Sequence, residues 1–215
     1  MVRTGEERAT LVRRTYLLVF ASILVTIGGV AYAMTQPSMM NAVIAHPFIT
    51  ALCVFVPLML AQAARNSFPQ NIGFVFLFTF AEGLYIAPFI AIAERSSPGI
   101  ASQAGMLTFI AFGTLTIYSF FSRRDFSAWG GFLITGVVVL LVTMFIMFLT
   151  GFSGGYTWIA SIGVILFSGL LVFDTWRMRN MYGPEDYVLA AVSIYLDLLN
   201  MFLFILSLLS GNKNK

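Results

Sequence analysis

Apolar residues fill seven stretches of this chain, each set off from the next by a short polar or glycine- and proline-containing break. They run approximately over Tyr16–Met34, Pro47–Ala64, Ile72–Ala93, Ile100–Phe121, Trp129–Thr150, Tyr156–Trp176 and Tyr187–Leu209. About 20 helical residues cross a hydrocarbon core, so the pattern predicts an all-α integral membrane protein with seven transmembrane helices. The breaks carry strong local signals: Phe68-Pro69 with Asn71, Ser96-Ser97-Pro98-Gly99, Arg123-Arg124-Asp125, Gly151 with Gly154-Gly155, and Gly183-Pro184. Nothing is left over for a linker or a soluble domain. Residues 1–215 are therefore expected to form a single seven-helix domain.

Composition agrees with a membrane setting. Hydrophobic residues make up 59% of the chain and charged residues 10%, against roughly 25% charged in an average soluble protein. One cysteine, Cys53, excludes an internal disulfide and a multi-cysteine metal site, and one histidine, His46, excludes a two-histidine haem or zinc centre. Arg13 and Arg14 before the first apolar run, and Ala31-Tyr32-Ala33 within it, resemble a secretory leader. The acidic Glu6 and Glu7 and the full length of the run point instead to a retained anchor.

The net charge of +3 matters less than its placement. Arg3, Arg8, Arg13, Arg14, Arg65, Arg123, Arg124, Arg177 and Arg179 fall in the amino-terminal tail or after the second, fourth and sixth segments, whereas Arg95, Lys213 and Lys215 fall on the other side. The positive-inside rule then places the amino terminus in the cytoplasm and the carboxyl terminus outside. Trp129 and Trp176 fall at the cytoplasmic interface and Trp158 at the outer one, as interfacial aromatics should. A cell membrane is the expected location. The lipid bilayer is the expected partner, and no nucleic acid is.

Two acids lie inside apolar segments: Asp174 toward the end of the sixth and Asp197 near the middle of the seventh. An ionised carboxylate at such depth costs about 2.5 kcal/mol or more, so each needs a partner, a proton or a water-filled cavity. Segment six descends toward the cytoplasm and segment seven rises from it, which puts both acids in the cytoplasmic half. Asp197 lies about 15 Å along its helix. Ser193, Asp197 and Asn200 recur at spacings of four and three and share one helix face, a polar stripe that should meet protein or water. The bland alternatives are specific. Asp174 precedes Arg177 by three and could be an ordinary helix-end pair; Arg65 at the end of segment two could simply reach lipid phosphates. Glu82, a third buried acid, lines an outer-side cavity, relays protons, or stays protonated and hydrogen-bonded into the bundle. Glycine pairs such as Gly28-Gly29 and Gly130-Gly131 read as sites of close helix approach.

Enzymatic chemistries fit poorly. An intramembrane aspartyl protease carries Gly-x-Gly-Asp at its second acid, where this chain reads Tyr195-Leu196-Asp197. Gly151-Phe152-Ser153-Gly154 matches a rhomboid-type serine motif, but His46 sits in the first loop rather than on a later helix. A retinal protein needs a buried lysine, and both lysines lie in the terminal tail. No enzyme activity and no tightly bound cofactor are expected.

Arg14-Thr15-Tyr16, Phe80-Ala81-Glu82-Gly83 with Pro88, Phe173-Asp174 and above all Ser193-Ile194-Tyr195-Leu196-Asp197-Leu198-Leu199-Asn200 resemble the Bax inhibitor-1 (transmembrane Bax inhibitor motif) family, in particular its small bacterial members. The similarity spans the chain. It departs at Ala87-Pro88, where members often show Gly-Pro, and at Glu82. The resemblance implies two three-helix layers around a central carboxyl-terminal helix, and a proton-sensitive passive calcium leak. It implies that Asp174 and Asp197 form the pH sensor and gate, with Arg65 as charge partner; the residues themselves, apart from the resemblance, place Ser193, Asn200 and Glu82 as candidates for the polar pathway. Calcium and protons are then the interacting ions, with calcium bound only transiently near Asp174 and Asp197. Two carboxylates in a low-dielectric site do not readily ionise together, so they would share a proton and titrate as a pair. Two other functions remain open at this stage: a non-transporting membrane regulator or scaffold, and a proton-coupled transporter of another cation.

Overall fold

Proline and glycine set most of the helix ends. The computed structural model describes residues 5–64, 67–152 and 154–211, and among them every regular element is helical. The helices are α1 (Gly5–Met34), α2 (Pro37–Ala45), α3 (Pro47–Ala63), α4 (Gln70–Ser96), α5 (Ile100–Phe121), α6 (Trp129–Thr150), α7 (Tyr156–Asn180) and α8 (Tyr187–Gly211), the last preceded by a 3-10 turn over Pro184–Asp186. Pro37 and Pro47 open α2 and α3, where a missing N–H costs nothing. Gly99 (φ 84°) precedes α5 and Gly151 (φ 64°) follows α6, left-handed positions that a side chain would strain.

Six helices are long and apolar enough to cross a membrane: α1, α4, α5, α6, α7 and α8 with its leading turn. The pair α2 and α3 passes the same test together but bends by 106° at His46, and counted as one broken span it makes a seventh. The protein is thus an all-α integral membrane protein of multiple spans. The hydrophobic pattern reads residues 35–46 as a connection, because nine helical residues are too few to register as a span. Large apolar side chains such as Phe109, Phe132, Leu149 and Ile165 are exposed on α5, α6 and α7, as a lipid-facing surface requires. The window of α8 is 56% buried, against 17% in α5 and α6, so α8 is the most enclosed span.

The chain divides into two compact units, Met1–Ile92 with Met181–Tyr195, and Ala93–Asn180 with Leu196–Lys215. In the first, α1 and α4 approach backbone to backbone at Gly29 and Gly83, and Arg14 lies 5.7 Å over the ring of Tyr187 at the start of α8. In the second, α7 packs on both α5 and α6. The Ser119 hydroxyl of α5 donates to the Val172 carbonyl of α7 (2.8 Å), and the Arg179 guanidinium donates to the carbonyls of Phe120 and Ser122 (3.2 Å to the latter), satisfying groups at the end of α5 that have no partner within their own helix. Glycines of α6 and α7 receive side chains of the facing helix: Gly130 meets the Phe173 ring, Gly136 meets Leu166 and Gly169 meets Leu133.

Glu94 near the end of α4 holds the start of α5. Its carboxylate accepts the N–H of Gly99 (2.7 Å) and the N–H of Ala101 (2.8 Å), both in the first turn where helical partners are missing. Glu94→Ala is expected to cost about 1–2 kcal/mol locally. Faster amide hydrogen exchange across Gly99–Gln103, with membrane insertion unchanged, is the expected readout; wild-type protection there would show that the clamp contributes nothing.

Candidate functional site

α7 and α8 are joined by the short stretch 181–186, and a connection that short makes the two helices antiparallel neighbours. Their contacts in the second unit run in opposite directions along the two chains. Thr157 lies near Gly211, Gly163 under the Phe204 ring, Phe167 stacked on Phe204 at 5.8 Å, and the Ser168 hydroxyl 3.5 Å from the Met201 sulfur. The next step in this register brings the Asp174 and Asp197 side chains within electrostatic reach of each other. Gly163 and Ser168 of α7 meet the larger Phe204 and Met201 side chains of α8 along this seam.

Both acids are enclosed. Asp174 is 9% exposed and Asp197 4%. The Asp197 Oδ2 atom is buried with no hydrogen-bond partner among the described residues. Asp174 Oδ1 lies 3.6 Å from Nη1 of Arg177, one turn further along α7 and partly open to solvent. The helix-end pair expected for Asp174 is therefore present, and it does not displace the contact with Asp197. One carboxyl faces a cation on one side and a second acid on the other.

The chemistry follows from what each group can donate. Carboxylates only accept hydrogen bonds, so two carboxyls can bond to each other only while at least one proton remains on the pair. A single shared proton leaves the pair with one negative charge, which Arg177 balances. Removing that proton leaves two like charges in a buried site; adding another removes the anion that Arg177 faces. Either change alters the net charge of the site.

The remaining predicted site residues distribute as follows. Arg65 lies outside the described residues, as does Ser153 of the rhomboid-like motif. Asn200 shares the second unit with the pair, and its amide donates to the Leu196 carbonyl at 2.8 Å. Ser193 and Glu82 belong to the first unit, both half-buried. Glu82 lies close enough to act electrostatically on Tyr85 and Tyr195. Among the described residues no three His, Cys, Asp or Glu side chains gather into a metal cage. Sequence reasoning missed Tyr195 as a polar contact. The one available signal was a tyrosine on a buried helix, since a buried phenol needs a hydrogen-bond partner.

Comparison with known proteins gives a consistent result over nearly the whole chain. The family described as inhibitor of apoptosis-promoting Bax1 matches residues 8–215. Bax inhibitor 1 of Schizosaccharomyces pombe is 32% identical over 213 residues, covering 96% of this chain and 78% of the relative. A BI1-like protein of Arabidopsis thaliana is 31% identical over 212 residues (94% and 81%), and an uncharacterized protein of Deinococcus radiodurans is 29% identical over 221 residues (96% and 92%). With multiple membrane spans, the Ser193–Asn200 motif and these matches in hand, the chain belongs to the Bax inhibitor-1 family of membrane proteins.

Proposed function

We propose that this protein is a pH-sensitive passive calcium leak, gated where α7 meets α8 by a proton shared between Asp174 and Asp197. The observation that carries this reading is the enclosed carboxyl pair with Arg177 at one end. A proton-dependent bond between two spans is a switch with two packings: proton number changes the net charge of the site and hence the contact that holds α8 against α7. Acid, by adding a second proton, releases Arg177 and is the direction that favours the leak. Arg65 would serve as a second cation for the pair, and Ser193, Asn200 and Glu82 would give passing oxygen contacts along the pathway. Such contacts are too few for a dedicated calcium cage, which takes six to eight oxygens. A leak needs only weak sites that an ion can leave.

The charge distribution supports a cytoplasmic amino terminus and an outer carboxyl terminus, which an odd number of crossings permits when α2 and α3 count as one broken span. A bacterial plasma membrane accords with the near end-to-end match to the Deinococcus radiodurans relative. The pair would then sit in the cytoplasmic half and report cytoplasmic pH.

The test is calcium entry into liposomes that contain only the purified protein and a calcium dye. Flux is expected to change about tenfold between about pH 8 and about pH 6, as for a gate governed by one proton. Sodium, potassium and protons measured in the same vesicles establish the ion. Absence of flux at every pH would remove the leak and leave a non-transporting membrane regulator.

A further inference from the structure

Thr26 of α1 stands at a junction of three helices in the first unit. Its Oγ1 lies 2.9 Å from the Ser22 carbonyl of its own helix, 3.0 Å from the Thr79 carbonyl of α4 and 2.6 Å from the Tyr195 hydroxyl of α8. Phe78 of α4 packs edge-on against the Tyr195 ring at 6.0 Å, and Thr26, Phe78, Thr79 and Tyr195 are all buried. Carbonyls only accept, so the single hydroxyl proton of Thr26 goes to them, and the phenol of Tyr195 donates to Thr26. The Thr79 hydroxyl donates to the Phe76 carbonyl at 3.3 Å. The hydroxyl protons of Thr26, Thr79 and Tyr195 are all committed, and what the junction still offers its surroundings is lone pairs.

Glu82 stands beside that junction. It follows Phe78 by four positions and Thr79 by three, spacings that share a helix face, so it rises from the side of α4 that meets α1 and α8. It lies close enough to act electrostatically on Tyr195 of α8 and on Tyr85, one turn further along α4. Glu82 is half-buried near the middle of its span, and no hydrogen bond or ion pair reaches it among the described residues. Nor is a cation at hand. From Tyr16 onward α1 has no lysine or arginine, and neither has α4 as far as Ile92 or α8 as far as Tyr195. Arg14 lies twelve residues before Thr26, about 18 Å along α1, over the ring of Tyr187 and next to Glu185 and Asp186 in the turn that precedes α8. The remaining titratable groups of these helices are the phenols of Tyr16, Tyr32 and Tyr187; α2 has none, and α3 adds Cys53, with His46 before it.

An ionised carboxylate is costly at the middle of a span, and here it would face acceptors with nothing to offset its charge. A protonated carboxyl reverses the match, because it is neutral and its O–H is the donor that the junction lacks. We propose that Glu82 is a proton-binding site of the first unit, separate from the aspartate pair, at which the acid holds a proton near neutral pH and directs its O–H to the Tyr195 oxygen. The proton stays where it is bound. The Tyr195 proton is committed to Thr26 and the chain of bonds ends on helix carbonyls, so the junction has no way to pass a proton on. Of the roles that the sequence leaves open for Glu82, the geometry thus favours the neutral acid over the relay. As a neutral acid it still offers a passing ion its carbonyl oxygen, but no charge. The proposal concerns α1, α4 and the first part of α8 alone, and it does not rest on the leak or on the aspartate pair.

Infrared spectra of the purified protein in liposomes distinguish a carboxylic acid from a carboxylate, and labelling glutamate with carbon-13 moves glutamate bands while aspartate bands stay in place. At about pH 7 a label-shifted carboxylic acid band is expected, present in Asp174→Asn and Asp197→Asn and absent in Glu82→Gln. Glu82→Asp, which keeps an acid at the site, should turn it into a band that ignores the label, and it serves where Glu82→Gln does not fold. Tyr195→Phe keeps the ring against Phe78 and removes the oxygen, so it should move the band to the higher wavenumber of an acid that has lost its hydrogen bond. A spectrum with no label-shifted acid band at that pH, or with one that both Glu82 variants retain, would overturn the proposal. So would a Glu82 carboxylate signal that responds to added calcium, which would put a cation where the proton is placed. An acid band that Tyr195→Phe leaves unmoved would overturn its placement at the junction.

Discussion

Asp197→Asn is expected to carry calcium at rates that differ less than about twofold between about pH 6 and about pH 8, where the unaltered protein changes about tenfold. Asparagine matches aspartate in shape and brings its own N–H donors, so it can bond to an ionised Asp174 without a titrating proton. Asp174 then keeps its charge and its contact with Arg177, 3.6 Å away. The site is fixed in the arrangement that one shared proton would otherwise maintain. Asp174→Asn should also abolish the pH response, by a different route: Arg177 loses the carboxylate on its own helix, while Asp197, buried more deeply, is left with an amide for a partner. That variant should consequently be the less stable of the two, because an enclosed carboxylate separated from its cation is costly. The measurement is calcium uptake into liposomes across pH for both variants and the parent. Unaltered pH dependence in both would take the pair out of the gate, whatever the parent transports.

Asp174 and Asp197 were legible in the sequence because lipid leaves few excuses for a carboxylate, and because a short turn between two long helices makes their positions run antiparallel. Depth follows from 1.5 Å per residue. Rotation does not. Whether the two acids face each other depends on how Gly163 seats the Phe204 ring and how Ser168 meets Met201, contacts that hydropathy does not encode. The charge partner was similarly underdetermined. Arg65 and Arg177 were both available, and spacing alone favoured Arg177 only as a helix-end pair, yet its guanidinium is the cation that the described residues place beside Asp174.

Helix α2 escaped the hydrophobic pattern for a different reason. Nine residues, Pro37–Ala45, are too short to register as a span, although prolines at 37 and 47 mark the start of α2 and of α3 in the ordinary way. The 106° bend between them falls at His46, whose non-helical backbone directly precedes Pro47. Glu94 is a comparable case: an acid five residues before a glycine at a helix start is a local capping signal, but only the fold shows that its carboxylate turns back onto the Gly99 N–H.

The glycine pairs show where pattern stops and packing begins, and they lead to the second large effect. Gly28-Gly29 reads as a place of close helix approach, but a pair of adjacent glycines does not say which member makes it. A Cβ on Gly29 would come 2.4 Å from the Phe80 carbonyl oxygen, and one on Gly83 would come 2.3 Å from the Thr26 carbonyl oxygen; Gly28 has nothing within 4 Å. The obstacles are backbone atoms, so no side chain can rotate out of the way. α1 and α4 would have to separate by about 1 Å to restore ordinary contact. In a bilayer, where lipid tails are as apolar as the protein, close packing and interhelical hydrogen bonds drive association, and separation forfeits both. The bond from Thr26 to the Thr79 carbonyl lies one turn from the contact and would lengthen with it. Gly83→Ala and Gly29→Ala are each expected to cost about 3 kcal/mol, at the upper end for an overpacked contact, whereas Gly28→Ala should stay within about 0.5 kcal/mol. Heating the detergent-solubilised variants while following monodispersity reads the difference. A Gly83→Ala protein as stable as the Gly28→Ala control would mean that α1 and α4 do not meet at these residues.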